Sequence, residues 1–466
     1  MKIYYSIPAG RSQRQRAFVL VAVLVVILLG SMVAMSLLFR LRADETAAAA
    51  GSSSEQAWAA AMSGVQEAIR VALSATPGGA EWQDNPKAFR DRLVHDDGSD
   101  RWYFTVYESP LEESLQELRY GLTDEASKLN LNASHTADLS KIPRLTPPLV
   151  QAIRDFIDVD LVARPEGAEQ DFYDSLPRGY AVRNGPLNTV EELLLVRGFT
   201  PSLLYGEDLN MNHRLDANED DGERTPPQDN GDGKLDVGLR SMFTTLSYDT
   251  QQDSLGHART RINDSSDLFP LVELPAAVTN YVTLLRTHHI HVTHAADLLQ
   301  ARVTIQDDKG RSVEVESGIG KAELPSVLDH FTATESSRME GLINANTASV
   351  AVLATLPGVD EALAEAIVST RRSISPERRS TLAWLFQEDV VDAERFRALA
   401  PLLTSRPLQF HFQVVGFGVP SRRYRVLEVV IDLASRPATI RYLRDITRLG
   451  PPFRFDSVLE KEAIGG

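Results

Sequence analysis

The sequence predicts an α+β chain whose antiparallel sheet is split by a large inserted α-helical domain. Three observations lead there. A long apolar helical stretch lies near the start, strand-like alternation occurs early and then only after residue 408, and repeated helical units fill the interval. The early strands are Trp102 to Tyr107 and Gln116 to Tyr120. The late ones are Gln409 to Gly416, Tyr424 to Leu433 and Ala438 to Arg444, joined by the turns Gly418-Val419-Pro420 and Ser435-Arg436-Pro437. The expected order is a leader over 1–17, a helix over 18–75, the first sheet strands within 76–123, the insertion over 124–400 and the last strands over 401–466.

Composition narrows the function before any motif does. The chain has 466 residues, 48 Lys plus Arg against 64 Asp plus Glu (48 − 64 = −16), and no cysteine. A surplus of acid argues against nucleic acid as the main partner, since neutralising phosphates needs clustered Lys and Arg. The lack of cysteine removes disulfides, thiolate catalysis and sulfur-ligated zinc.

The first element is a 23-residue uncharged run from Ala17 to Phe39, about the roughly 20 residues that cross a bilayer as helix. Lys2, Arg11, Arg14 and Arg16 precede it with no acid among them, while Arg40 and Arg42 are followed by Asp44 and Glu45. The larger basic count places the N terminus in the cytoplasm and the rest outside. The expectation is therefore a single membrane pass with the main body on the side away from the cytoplasm. The junction Arg16-Ala17-Phe18 resembles a type IV prepilin cleavage site, with Phe18 as the new terminus. It departs from that pattern at Ala17, where Gly is usual, and at Ala22, where most pilins carry Glu.

The insertion contains a repeat. Leu129 to Asp158 aligns with Ile343 to Arg372: each begins with an Asn-x-Asn turn, runs through a helix to a Pro-containing turn at Ile142-Pro143 or Leu356-Pro357, and starts a second amphipathic helix. Both read as helix-hairpin-helix units. A partial third copy runs from Asn188 to Phe199, with Thr189 and Glu192 at the positions of a capping box. Such units often grip DNA through a Gly-rich hairpin, but Asp360 stands where the second hairpin Gly belongs and Arg144-Leu145-Thr146 replaces the first hairpin. A structural or protein-contacting role is the expectation.

Between the copies, Glu207 to Asp236 holds ten acidic and three basic residues, a net of −7 (3 − 10). Oxygen-bearing side chains alternate, then a turn, then an inward apolar residue, which is the pattern of calcium loops. In EF-hand register Asp208, Asn210 and Asn212 take positions one, three and five. The Arg214 carbonyl takes seven, Asp216 nine and Glu219 twelve, with His213 where Gly normally turns. A second loop has Asn230, Asp232 and Asp236, but Gln228 and Leu239 occupy positions one and twelve. A second ion would borrow Asp220, Asp221 or Asp229. One calcium is expected and a second is possible.

Long motifs then point to a family. Gly121 to Asn132 (GLTDEASKLNLN), Asn184 to Phe199 (NGPLNTVEELLLVRGF), Tyr205 to Asp208 and Ile343 to Asn346 resemble those of the minor pseudopilin K of the bacterial type II secretion system. The resemblance implies a pilin-like core with a calcium-binding insertion at the tip of a periplasmic pseudopilus that serves export of folded proteins across the outer membrane. It implies as partners the minor pseudopilins I and J, the major pseudopilin, the inner-membrane assembly platform and the prepilin peptidase. The family lacks the pilin Glu, so Ala22 is expected. Residues 251–335 carry no such resemblance, and the Ala301 to Glu316 hairpin with its turn at Asp308-Lys309-Gly310 reads as an addition.

No nucleophile elbow, phosphate loop or His-Glu-x-x-His occurs, so no catalytic residue and no enzyme is expected. His288, His289, His291 and His294 read as a surface segment. Two other classes stay open on the residues alone: a membrane-anchored calcium-dependent binding protein and a competence-type DNA receptor.

Overall fold

The computed structural model describes residues 12–109, 118–133, 137–270, 272–307 and 309–455. The leader segment 1–11, residues 116–117 of the second early strand, and Asp308 of the hairpin turn lie outside them. Helix α1, Ser12–Ser74, is continuous. Its first half exposes a nearly unbroken apolar surface from Val19 to Leu41. Its second half carries Ala57, Ala61, Val65, Ala68 and Val71 as a buried stripe, the three-to-four spacing of a helix laid on a core.

That stripe lies on an antiparallel sheet ordered β1 (Arg92–Asp96), β2 (Arg101–Tyr107), β3 (Gln409–Val419), β4 (Tyr424–Asp432) and β5 (Thr439–Asp445). Strands β2 and β3 pair from Tyr107↔Gln413 to Arg101↔Val419, although about 300 residues separate them. Alternation divides the strands. Phe104, Val106, Phe410, Phe412, Val414, Leu427, Val429 and Ile431 pack under α1, whereas Tyr103, Tyr107, Val415, Phe417 and Val426 pack on the opposite side with Met211. Helix and sheet approach closely at Gly416, where a Cβ would stand 2.1 Å from the Ala57 carbonyl oxygen and 2.4 Å from the Ala61 nitrogen.

Two details differ from the sequence reading. Strand β1 was not foreseen, since its five residues are all exposed and show no alternation of burial. Within the Gln116 to Tyr120 segment the described residues form no ladder, only an isolated bridge between Arg119 and Glu108.

The inserted block has its own core, from Leu129 and Phe156 through Leu193 and Leu204 to Trp384 and Phe396. The sequence repeat has matching geometry there. Leu145, Phe199 and Val359 each donate a backbone N–H to the carbonyl three residues back, at 3.2, 3.1 and 3.1 Å. The residue before each is left-handed: Arg144 at φ 68°, Gly198 at 86° and Gly358 at 74°. A second helix follows each turn: α2 (Pro147–Ile157), α3 (Pro201–Tyr205) and α5 (Glu361–Ser373), with α4 (Ala276–Thr287) between. The helix expected before the first turn is only a 3-10 turn, Leu139–Lys141, whereas the second copy has the short α-helix Val350–Ala354 there. Each Asn-x-Asn turn also begins a short parallel pair, Leu129–Asn130 with Phe243–Thr244 and Ile343–Asn344 with Leu403–Thr404. Asn130 Oδ1 and Asn344 Oδ1 accept from Asn132 and Asn346 amides at 3.0 and 2.9 Å.

Residues 251–335 build a smaller core around Val278, Tyr281, Val282, Leu298 and Phe331. The hairpin pairs Arg302–Gln306 with Ser312–Glu316. His288, His289 and His291 are exposed. His294 is half-buried, its Nδ1 accepting the Ala296 amide at 3.1 Å, and burial lowers its pKa to about 4.

Candidate metal centre and docking face

The acidic loop sits against the face of the sheet turned away from α1. Met211 is buried among Tyr103, Tyr107, Val415 and Phe417, and Gln413 Nε2 donates to its carbonyl at 2.9 Å. The base of the loop is pinned by Glu207 N–H to the Asp236 carbonyl at 2.8 Å and Asp236 N–H to Glu207 Oε2 at 3.0 Å.

Inside, Asp208 accepts from the Asn212 amide (Oδ1, 2.9 Å) and the His213 amide (Oδ2, 3.0 Å). Asn210 Oδ1 accepts from Asn212, and Asn212 Oδ1 from Arg214, at 3.1 and 2.8 Å. Both Asn side chains donate to Asp216 Oδ2, at 2.8 and 2.7 Å, and Glu219 Oε2 takes the Asp216 amide at 2.9 Å. His213 is left-handed at φ 58°, which His tolerates better than most residues. Two of the contacts join side chains, from Asn210 and Asn212 to Asp216, while Asp208 and Glu219 accept backbone amides of the same loop.

Their charge is poorly compensated. Asp208 and Glu219 are 4% and 2% exposed. Burial, followed by the charges of Asp208, Asp216 and Glu207, pushes the Glu219 carboxyl up to about 7. The His213 ring lies beside them, with Nδ1 3.3 Å from Asp208 Oδ2. Oxygen-bearing side chains in one loop are the donor type a hard divalent cation takes, although the carboxylates of Asp208, Asp216 and Glu219 are not drawn together as Asp158, Asp160 and Glu169 are.

The second stretch is different. Asp220, Asn230 and Asp232 are exposed; Asn230 and Asp232 each accept the amide two residues on, from Asp232 and Lys234, and Asp220 accepts the more distant Gly233 amide. Asp221 accepts from the Thr225 hydroxyl at 2.6 Å, and Asp229 from the amides of Asp221, Gly222 and Gly231. Asp236 pairs with Arg144. These oxygens serve turns rather than converging.

Two groups escaped the sequence reading. One is a buried ionic network that holds the insertion to the sheet. His411 lies between Glu108 and Glu428, its Nε2 3.0 Å from Glu428 Oε1. Arg240, from the insertion, pairs with Glu191 at 2.9 Å and also with Glu428. Although burial opposes it, the paired carboxylates raise His411 to about 9; the Arg240 and His411 charges hold Glu428 well below the usual carboxylate range against its burial. Its sequence signal is a charge at an inward strand position, legible only once the sheet face is known. The other group is Asp158, Asp160 and Glu169, separated in sequence by a loop without calcium spacing.

No curated protein matches the chain. Among solved structures, a chain of the GspK-GspI-GspJ complex from the enterotoxigenic Escherichia coli type 2 secretion system is similar over 87% of this chain and 99% of that chain, with 12% identity and a TM-score of 0.35. Residues 127–205 match the family model described as Type II secretion system (T2SS), protein K. That segment, about a sixth of the chain, contains the first repeat and the Asn188 to Phe199 motif.

Proposed function

We propose that this protein is the minor pseudopilin at the tip of the type II secretion pseudopilus, a structural component for export of folded periplasmic proteins. The carrying observation is the strand pairing: β2 and β3 are neighbours in one sheet, yet the whole inserted block leaves the sheet between them. A subunit in a helical shaft is surrounded by copies of itself; a block of about 300 residues emerging from one sheet face would collide with them. At an end it projects freely. Ala22 agrees, since an apolar position offers no carboxylate to another subunit's terminal amine. The apolar half of α1 supplies the inner-membrane anchor, the body lies in the periplasm, and prepilin peptidase cuts between Ala17 and Phe18. Pseudopilins I and J would pack along α1, with the major pseudopilin and the assembly platform below.

Calcium belongs to this reading as a stabiliser of the insertion. Asp208, Asn210, Asn212, Asp216 and Glu219, with the Arg214 carbonyl, would hold one ion; loading it requires the Asn210 and Asn212 amide groups to release Asp216. The helix-hairpin-helix units serve as internal scaffolding. A DNA-receptor role is disfavoured because Asp360 Oδ1 already takes the Leu363 amide at 2.9 Å, where a phosphate would have to bind. The test is immunogold labelling of pseudopili: label confined to one end is expected, and label repeated along the shaft refutes the tip assignment.

A further inference from the structure

One carboxylate group lies outside the Glu207–Asp236 loop: Arg164 donates to Asp158 Oδ2 and the Val162 amide to Asp160 Oδ1 at 2.8 Å, but Asp158 Oδ1 and both Glu169 oxygens have no donor. Asp158 caps the C-terminus of α2, Asp160 follows it, and Glu169 sits at the N-cap of the short helix Gln170–Asp174. Each offers an oxygen, and these oxygens lie within 4.8 Å of one another. An N-cap side chain ordinarily accepts an amide of its own helix, but Glu169 makes no such bond. It is 6% exposed, and neither Oε1 nor Oε2 accepts a hydrogen bond. Asp158 Oδ1 and Asn184 Oδ1 are likewise buried and unpartnered. Asn184 is held beside them by its amide to the Phe156 carbonyl at 3.1 Å and its Nδ2 to the Asp160 carbonyl at 3.4 Å.

Local charge does not resolve this. Arg164 is committed to Asp155 Oδ1 at 2.6 Å and to Asp158 Oδ2. Counting Asp155, Asp158, Asp160 and Glu169 against Arg164 leaves −3 (1 − 4). Burial and then these acids raise the Glu169 pKa. Burying carboxylate oxygens with no donor is costly unless a cation takes the donors' place.

We propose that Asp158, Asp160 and Glu169, with Asn184 Oδ1, form a second, separate divalent-cation site, and that its ion is calcium. The donors are all oxygens and include no nitrogen or sulfur, which excludes the preferences of zinc or copper. Calcium takes oxygens at about 2.3–2.6 Å, so ligands on opposite sides of one ion stand roughly 5 Å apart, in keeping with the 4.8 Å spread. Magnesium demands a tighter, near-octahedral shell and keeps several waters, which buried Glu169 leaves little room for. Asp160 is exposed and gives the ion a route to solvent. The ion would join the end of α2, the start of Gln170–Asp174 and the Asn184 segment, fixing the loop on which Val159, Leu161 and Val162 are 85%, 70% and 76% exposed.

The test uses the full chain in detergent, stripped with chelator and dialysed against calcium chloride, with bound calcium counted by elemental analysis. Glu169→Gln and Asp160→Asn should each bind one ion fewer per chain than wild type, while Glu219→Gln retains that ion. An unchanged count in both Glu169→Gln and Asp160→Asn overturns the site; a loss confined to Glu219→Gln speaks to the loop alone. Should the variants fail to fold, hydrogen exchange on wild type decides: calcium should slow exchange of the 158–170 amides by about tenfold or more over chelator. Equal exchange in both overturns the proposal, and equal protection by magnesium chloride alone overturns the choice of calcium.

Discussion

Arg240→Met should loosen the insertion from the sheet. The Glu428 side chain is 0% exposed and its charge is held by Arg240 from the insertion, by His411 from β3 and, more distantly at 4.0 Å, by Arg444 from β5. Removing one partner of a buried pair costs about 3–5 kcal/mol, because the remaining charge stays buried. His411 remains 3.0 Å from Glu428, so the lower end, about 3 kcal/mol, is expected. The chain has separate cores and need not unfold in one step. The assay is therefore a double-mutant cycle with Glu428→Gln, read by urea unfolding of the full chain in detergent and by exchange of the Leu239–Thr244 amides. The double variant should cost less than the sum of the singles by about 1.5 kcal/mol or more. The sign with pH also follows. Glu428 is depressed in the fold, so its contribution is present above the unfolded value of 4.5 and fades as pH falls below it; the Arg240→Met penalty should shrink in the same window. Additive singles, or a penalty that does not shrink as pH falls below 4.5, would refute the argument.

Further predictions concern the other elements. Gly416→Ala should destabilise by about 1–3 kcal/mol, since its Cβ would meet backbone atoms of α1 that cannot rotate away; an unchanged urea midpoint counts against the close approach. His411 is raised from 6.5 to about 9, so its stabilisation is complete below 6.5 and is lost as pH rises through 9; His411→Gln should flatten that part of the stability profile. In calcium, Asp216→Ala and Glu219→Ala should lower the melting temperature more than Asp236→Ala, whose carboxylate faces Arg144 at the surface. An ion at roughly 100 times its dissociation constant adds about 2.7 kcal/mol, and identical melting with calcium and with chelator would sink the loop assignment. N-terminal sequencing of the membrane-extracted protein should begin at Phe18; an intact Met1 in cells with active prepilin peptidase would contradict the processing site.

Patterns that repeat locally were legible from the chain alone. The uncharged run after Arg16, the period of two in β2 to β5, the paired Asn-x-Asn segments and the alternating oxygens from Asp208 to Asp216 each depend on residues near one another in sequence, so local geometry and burial dictate them. The left-handed turns illustrate the limit: Gly198 and Gly358 announce theirs, but Arg144 adopts φ 68° only because the surrounding repeat demands it. What joins distant residues required the tertiary structure. β1 had no pattern to read because it is an exposed edge. Glu108, Arg240, His411 and Glu428 look like ordinary surface charges until the fold buries them together. Asp158, Asp160 and Glu169 are separated by a loop whose closure no spacing rule describes. Buried charge is tolerated only where partners meet, and folding rather than sequence proximity arranges that meeting.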